Sequence, residues 1–153
     1  MDLFTDEYFM KMAIAEAQDA LYEGEVPIGA VIVAGNRVIA RGHNHTQALH
    51  DVTAHAEMEA ITAAANYLGA KYLNDCTLYV TLEPCTMCAG AIFWAQVGTL
   101  VYGTNDIKRG YSLVSNQILH PKTVIRTGVM AKEIEKMMKD FFSSKRSLNL
   151  KKM

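Results

Sequence analysis

Apolar residues recur three and four apart near the start of the chain, at Phe9, Ala13, Ala17 and Leu21, which predicts an amphipathic helix. Thr5 stands where an N-cap hydroxyl would, Asp6 and Glu7 suit the positive end of a helix dipole, and Gly24 ends the run. The pattern then becomes that of strands: PIGAVIV and RVIARG, on either side of Ala34-Gly35-Asn36, predict a β-hairpin. Helical spacing returns from about Ala54 to Leu68 and stops at Gly69, after which CTLYVTL reads as a buried third strand. A further helix, with Pro84 in its first turn, is predicted to run to about Ala95. TLVYG gives a fourth strand, Thr123 to Thr127 a weaker fifth, and Ala131 to Phe142 a last helix with Ile134, Met138, Phe141 and Phe142 on one side. Strands alternating with helices imply an α/β fold, a three-layer α/β/α sandwich around a mixed sheet of about five strands.

The 153 residues show no repeat or linker and fit one domain, 1–153. Half the residues are apolar and a fifth are charged, the profile of a soluble globular protein. No apolar run approaches the roughly 18 residues of a membrane span, and the acidic opening MDLFTDEYF is unlike a secretory signal. Three cysteines, an odd count, argue against a disulfide framework and for a reducing compartment, so a cytoplasmic location is expected. The net charge of −1 rules out a global basic field. The tail from about residue 143, SSKRSLNLKKM, nevertheless carries Lys145, Arg146, Lys151 and Lys152 with no acidic residue. It reads either as a solvated, fraying terminus or as an RNA contact.

Candidate chemistry lies in two short motifs, His55-Ala56-Glu57 and Pro84-Cys85-Thr86-Met87-Cys88. Cys85 and Cys88 are three apart, so on a helix their sulfurs share a face and can grip one ion. At a helix start, unpaired N–H groups and the dipole favour thiolate over thiol. His55 and Glu57 are two apart, roughly 200° around a helix, so both can serve one site only if it lies near the axis, just off the helix N-terminus. One histidine and two thiolates suit a single Zn²⁺ per chain, and three ligands leave a fourth position for water. Glu57 is then the natural proton carrier. A Cys-x-x-Cys opening a helix after a strand also fits a thioredoxin-type redox site or a structural zinc site. Pro27 and Pro121 have local roles, and Glu57 beside a three-ligand set speaks for catalysis. Cys76 reads as a small buried hydrophobe, most of the nine methionines as core filler, and His43, His45, His50 and His120 as surface or loop hydrogen-bonding groups.

H-x-E followed by P-C-x-x-C is the signature of zinc deaminases. Beyond it, the chain resembles the bacterial tRNA-specific adenosine deaminases of the cytidine-deaminase superfamily, which convert the wobble adenosine to inosine. The resemblance runs from about Phe9 to Arg146 through VPIGAVIV, TAHAEMEAI, TLYVTLEPCTMCAGAI, VYG followed by Asp106 and Lys108, LHP, TGV and a terminal FF. It implies a cytidine-deaminase-like fold, zinc on His55, Cys85 and Cys88, and proton shuttling by Glu57. It places Asn44 on the base and Ile28, Asp106 and Lys108 among the substrate-binding residues. It further implies a homodimer that takes a flipped-out nucleotide of a tRNA anticodon loop, with the C-terminal helix near the RNA. The chain departs from the pattern in the loop KRGYSLVSNQ, in Asn105 where an arginine is expected, and in AIFWAQ, whose Phe93-Trp94 is similar to that of free guanine deaminases. Trp94 is expected in core or dimer packing, with Ile92 and Phe93 beside it as interface anchors. A deaminase of free nucleobases or nucleosides, guanine or cytosine, is the alternative.

Overall fold

A computed structural model describes residues 2–152, and side chains as far as residue 149. Helix α1 (Asp6–Tyr22) is followed by β1 (Gly29–Ala34), β2 (Arg37–His43), a short α2 (Thr46–Leu49) and α3 (Ala56–Leu68). Then come β3 (Thr77–Leu82), α4 (Thr86–Ala95), β4 (Thr99–Thr104), a 3-10 turn at Tyr111–Leu113, β5 (Val124–Thr127) and α5 (Ala131–Lys152). The sheet order is β2-β1-β3-β4-β5. β1 is antiparallel to both β2 and β3, whereas β3, β4 and β5 are parallel, so the sheet is mixed and five-stranded as expected.

Alternation along the strands divides the core in two. Ala30 and Ile32 of β1, with Leu78, Val80 and Leu100, pack against Ala60 and Ala64 of α3 and Ile92 of α4. Val31, Val33, Tyr79 and Val101 face the other way, onto Phe9, Met10 and Ala13 of α1 and Ile134 of α5. These are the three predicted layers. Two glycines bring helices onto the sheet at backbone distance: a Cβ on Gly29 would lie 2.1 Å from Ala13 O, and one on Gly42 would lie 2.4 Å from Ala56 O. The hairpin turn Gly35-Asn36 has φ of 56° and 62°, the doubly positive geometry of a two-residue type I′ turn.

The structure corrects several readings. α4 starts at Thr86, so Pro84 precedes the helix instead of occupying its first turn. α2 and the 3-10 turn have no periodic signal because both are held by side chains from elsewhere. α5 does not stop at Phe142 but continues to Lys152, so the basic stretch is helix, not a frayed tail. Residues 143–152 contain no glycine or proline, Lys136 pairs with Asp140 at 2.7 Å, and Lys145 lies 5.5 Å from the centre of the Phe141 ring. Cations in the last turns also suit the helix dipole. The side chains of Lys151 and Lys152 lie outside the described residues. Cys76 is buried as predicted. Ile92 is also fully buried, so it belongs to the core and not to an exposed interface. Trp94 is the reverse: it is 76% exposed and takes no part in the core.

A three-sided contact ties α1 to the sheet. Asp6 accepts from Arg126 Nε and Nη2 at 2.7 and 2.9 Å, and from the Tyr79 hydroxyl at 2.8 Å. The Arg126 hydrogen bonds hold the Asp6 carboxyl below the usual carboxylate value, with the Tyr79 hydroxyl adding to them and burial opposing. The folded state therefore carries the lower pKa. Its contribution is complete above the ordinary value of 3.8 and is lost as pH falls through the folded value. Because Arg126 is half exposed, we expect Asp6→Asn to cost only about 1 kcal/mol at neutral pH. Denaturant titrations of the two proteins should differ near neutrality and converge in strong acid.

Candidate active site

β1 is antiparallel to both its neighbours, so β2 and β3 run in the same direction with β1 between them. α3 and α4 follow these two strands and so begin at the same edge of the sheet, where ligands collect outside the carboxyl ends of strands. His55 is the N-cap of α3 (φ −81°, ψ 154°) and Cys85 the N-cap of α4 (φ −73°, ψ 175°). Neither side chain turns back to cap its own helix. They meet each other instead: His55 Nδ1 lies 3.6 Å from Cys85 Sγ and 3.4 Å from Cys88 Sγ.

These separations can be checked against a metal. Zinc–sulfur and zinc–nitrogen bonds of roughly 2.3 and 2.05 Å, opened to the tetrahedral angle, put the donors about 3.5 Å apart. Both His55–sulfur separations are therefore those of tetrahedral zinc ligands, all three donor atoms lie within 4.8 Å of one another, and the set of one imidazole and two thiols fits zinc. Two helix N-termini point their unpaired amides and positive dipole ends at this place, which favours the thiolates a metal needs. The Cys88 hydrogen bond first, and His55 after it, pull the Cys85 thiol down to about 4 against the effect of burial. The same bond and burial push the Cys88 thiol upward, so the pair keeps a thiolate at Cys85 and a proton at Cys88. A metal bound here would displace that proton.

Glu57 completes the group. It sits in the first turn of α3, is only 3% exposed, and its carboxyl touches the Cys88 thiol. Burial pushes this carboxyl up to about 7, while its own backbone N–H and the nearby His55 resist. A group near neutrality both takes and gives protons readily. The condition that His55 and Glu57 place on the site, a position near the axis just off the helix start, is met.

The other predicted residues divide into two sets. The Asn44 N–H donates to Ile28 O at 3.1 Å, and the next amide, His45 N–H, donates to Ala54 O at 2.9 Å. Asn44, on the connection that leads into His55, is therefore paired with Ile28, which stands immediately before β1. The Asn44 side chain is 5% exposed; its Oδ1 accepts from Thr46 N–H at 3.1 Å, and its amide makes only a long 3.4 Å bond to Val26 O. Asp106 and Lys108 lie elsewhere. Asp106 Oδ1 closes its own turn by accepting from the N–H groups of Lys108 and Arg109, both at 3.0 Å. With Arg109, Phe142 and Arg146 they line a groove of about 460 Å³ between this loop and α5.

Two buried glutamates were not singled out from sequence. Glu25 accepts from Gln47 N–H and Ala48 N–H at 2.9 and 2.8 Å and so holds α2 in place. Glu83, immediately before Pro84-Cys85, is 3% exposed. Its Oε1 accepts from Asn105 Nδ2 and Asp106 N–H, and its Oε2 from Ser112 N–H and Oγ, at 2.6 to 3.3 Å. A Cβ on Gly110 would stand 2.3 Å from that carboxylate, so only glycine admits it. A charged residue inside an otherwise apolar strand end, TLEPC, is the signal that could have marked Glu83. Glu83→Gln turns an amide toward two donors, and we expect a loss of about 2 to 3 kcal/mol. Hydrogen exchange should show the Asp106 and Ser112 amides opening first.

Comparison with known proteins accords with this geometry. The family model described as MafB19-like deaminase matches residues 4–146. The tRNA-specific adenosine deaminase of Agrobacterium fabrum is 43% identical over 144 residues, covering 91% of this chain and 95% of its own. A solved structure from a study of A-to-I editing by tRNA deaminases at the wobble position of transfer RNA superposes with a TM-score of 0.79. It is 43% identical and covers 85% of this chain and 98% of its own. The guanine deaminase of Bacillus subtilis superposes less closely, with a TM-score of 0.65 and 38% identity over 79% of each chain. With a family match over residues 4–146 and 43% identity along nearly the whole of both chains, the protein belongs to the tRNA-specific adenosine deaminases, within the MafB19-like deaminase family.

Proposed function

We propose that this protein, acting as one deaminase unit in the cytoplasm, hydrolyses the 6-amino group of the wobble adenosine in a tRNA anticodon loop to give inosine. The observation that carries the reading is the separation of His55 from both Cys85 and Cys88, which is that of tetrahedral zinc ligands, with the buried carboxyl of Glu57 against Cys88. One zinc held by these three residues would supply an acidified water, its pKa lowered to about 7. Glu57 would take one proton from that water and pass it to a ring nitrogen as the hydroxide adds to the amine-bearing carbon. It would then take the second proton, from the hydroxyl now on that carbon, and give it to the amine, so that the C–N bond breaks, ammonia leaves and the oxygen stays as the carbonyl of inosine. Base reading falls to Asn44, on the segment leading into His55. Its weak bond to Val26 leaves a donor that can turn to the substrate.

The groove between the 104–109 loop and α5 supports an RNA partner. Lys108, Arg109 and Arg146 offer positive charge to phosphates, and Phe142 offers a stacking face. A homodimer is supported by α4, the helix that carries Cys88, which is apolar all round and leaves Trp94 exposed.

Mass spectrometry of nucleosides from tRNA incubated with the purified protein tests the reading. Inosine at the wobble position is expected. Efficient release of ammonia from free guanine or cytosine, with no inosine in tRNA, would move the protein to the free-base class.

A further inference from the structure

Strand β2 ends on His43, and His45 follows two residues later with its ring tilted against the first, centroids 4.2 Å apart. Between them lies Glu23, the C-cap of α1. Its carboxylate oxygens stand 3.1 and 3.2 Å from His43 Nε2, and one of them is 3.5 Å from His45 Nε2. The far side of each ring is held as well. His43 Nδ1 lies 3.2 Å from Glu16 Oε1, and His45 Nδ1 is bonded to Glu59 Oε1. Two imidazoles thus converge through Nε2 on one carboxylate, and each is anchored through Nδ1 by another.

Proton counting shows what this arrangement needs. Four ring nitrogens each face a carboxylate oxygen, but a neutral imidazole has one N–H. The hydrogen bonds at both nitrogens of His43 and at Nδ1 of His45 need a doubly protonated His43, and they leave His45 Nε2 facing the Glu23 carboxylate from 3.5 Å with no proton between them. A divalent cation at the convergence point removes the conflict. It serves both Nε2 atoms without a proton and leaves one Nδ1–H on each ring for Glu16 and Glu59. That is the carboxylate–histidine–metal relay by which proteins fix the tautomer and orientation of metal-bound imidazoles. The spacing also fits. Zinc bonds of roughly 2.05 Å to nitrogen and 2.1 Å to oxygen put tetrahedral donors about 3.4 Å apart, beside the 3.1 and 3.5 Å found here. Among the described residues no lysine or arginine forms an ion pair with Glu16, Glu23 or Glu59. The cluster therefore has a deficit of positive charge.

We propose that Glu23, His43 and His45 form a second zinc site, separate from the His55–Cys85–Cys88 group, with Glu16 and Glu59 as its orienting partners. Two imidazoles and a carboxylate are a borderline donor set suited to Zn²⁺, and three protein ligands leave the fourth position to water. The site joins the end of α1 to the β2–α3 connection. Asn44 stands between its two histidines, and the His45 amide is bonded to Ala54 O beside His55. A bound ion would brace the segment that carries the proposed base reader.

Zinc titration of untagged protein, with bound metal counted by elemental analysis after gel filtration, tests this directly. A second zinc per chain is expected at saturation. It should vanish in Glu23→Gln and in His45→Asn while the first zinc stays. It should survive in a Cys85→Ser/Cys88→Ser variant, so failure of the deaminase reading and failure of this one are distinguishable. Glu16→Gln and Glu59→Gln keep all three ligands and should weaken the second zinc by ~10 to 100-fold, which a merely structural hydrogen bond would not do. Should His45→Asn fold poorly by circular dichroism, Glu23→Gln at the exposed end of α1 decides. Saturation at a single zinc in the intact protein, or a second zinc that persists in Glu23→Gln, would overturn the proposal.

Discussion

Glu57→Gln is expected to lower tRNA deamination by ~10² to 10⁴ or more, while the fold and the bound metal remain. Glutamine matches the volume of the side chain and can still face Cys88, but it carries no exchangeable acid proton. Both transfers assigned to Glu57, from water to ring nitrogen and then to the departing amine, would lose their carrier. Stability should not fall with activity. Burial holds the Glu57 carboxyl up to about 7, so its ionised form is disfavoured in the folded state, and a neutral replacement removes that penalty. The measurement is single-turnover inosine formation, alongside zinc content and a thermal melt. Near-normal turnover would take Glu57 out of the chemistry, and loss of zinc would make its role structural.

Removing the metal should have an equally large effect on activity and a further one on stability. A chelator is expected to bring inosine formation to background, with recovery on adding zinc back. An ion held by ligands on two separate helices would tie those helices together, so binding adds to folding free energy. Zinc at a free concentration about a thousand times its dissociation constant contributes about 4 kcal/mol. For a chain of this size each kcal/mol corresponds to roughly 2 to 4 °C in Tm. Full activity in chelator-treated protein with no detectable metal would refute the zinc reading.

The convergence of His55, Cys85 and Cys88 is legible in the sequence because its information is local. Cys85 and Cys88 are one helical turn apart, and the position of His55 relative to Glu57 already demanded a site off the end of a helix. The five strands were legible for the same reason, through short apolar runs and turn residues such as Gly35-Asn36. Pairing was not. Nothing in β1 announces that it would be antiparallel to both neighbours, because that depends on which segments meet across the chain. α5 was cut short because its later turns lack the apolar stripe that made its first turns visible. Local propensity and charge continue that helix without periodicity. Glu83 and Glu25 are hard to read from sequence because their partners lie 22 to 29 residues further on and most are backbone amides, which carry no residue type. Taken alone, His43 and His45 each read as an ordinary hydrogen-bonding residue. Only the fold brings Glu16, Glu23 and Glu59 around them.

His55 and the two cysteines are separated by 30 and 33 residues, with one helix and one strand between them. The His55–Cys85–Cys88 cluster is thus encoded in a contiguous α3–β3–α4 stretch, complete before β4, β5 and α5 are synthesised. During translation all three ligands and Glu57 leave the ribosome while the C-terminal helix is still unmade. An ion bound there would act as an early clasp, closing a short loop at modest entropic cost before the parallel half of the sheet forms. Damage to the ligands would on this view be felt first in the yield of folded chains from synthesis, and damage to α5 first in what the finished protein binds.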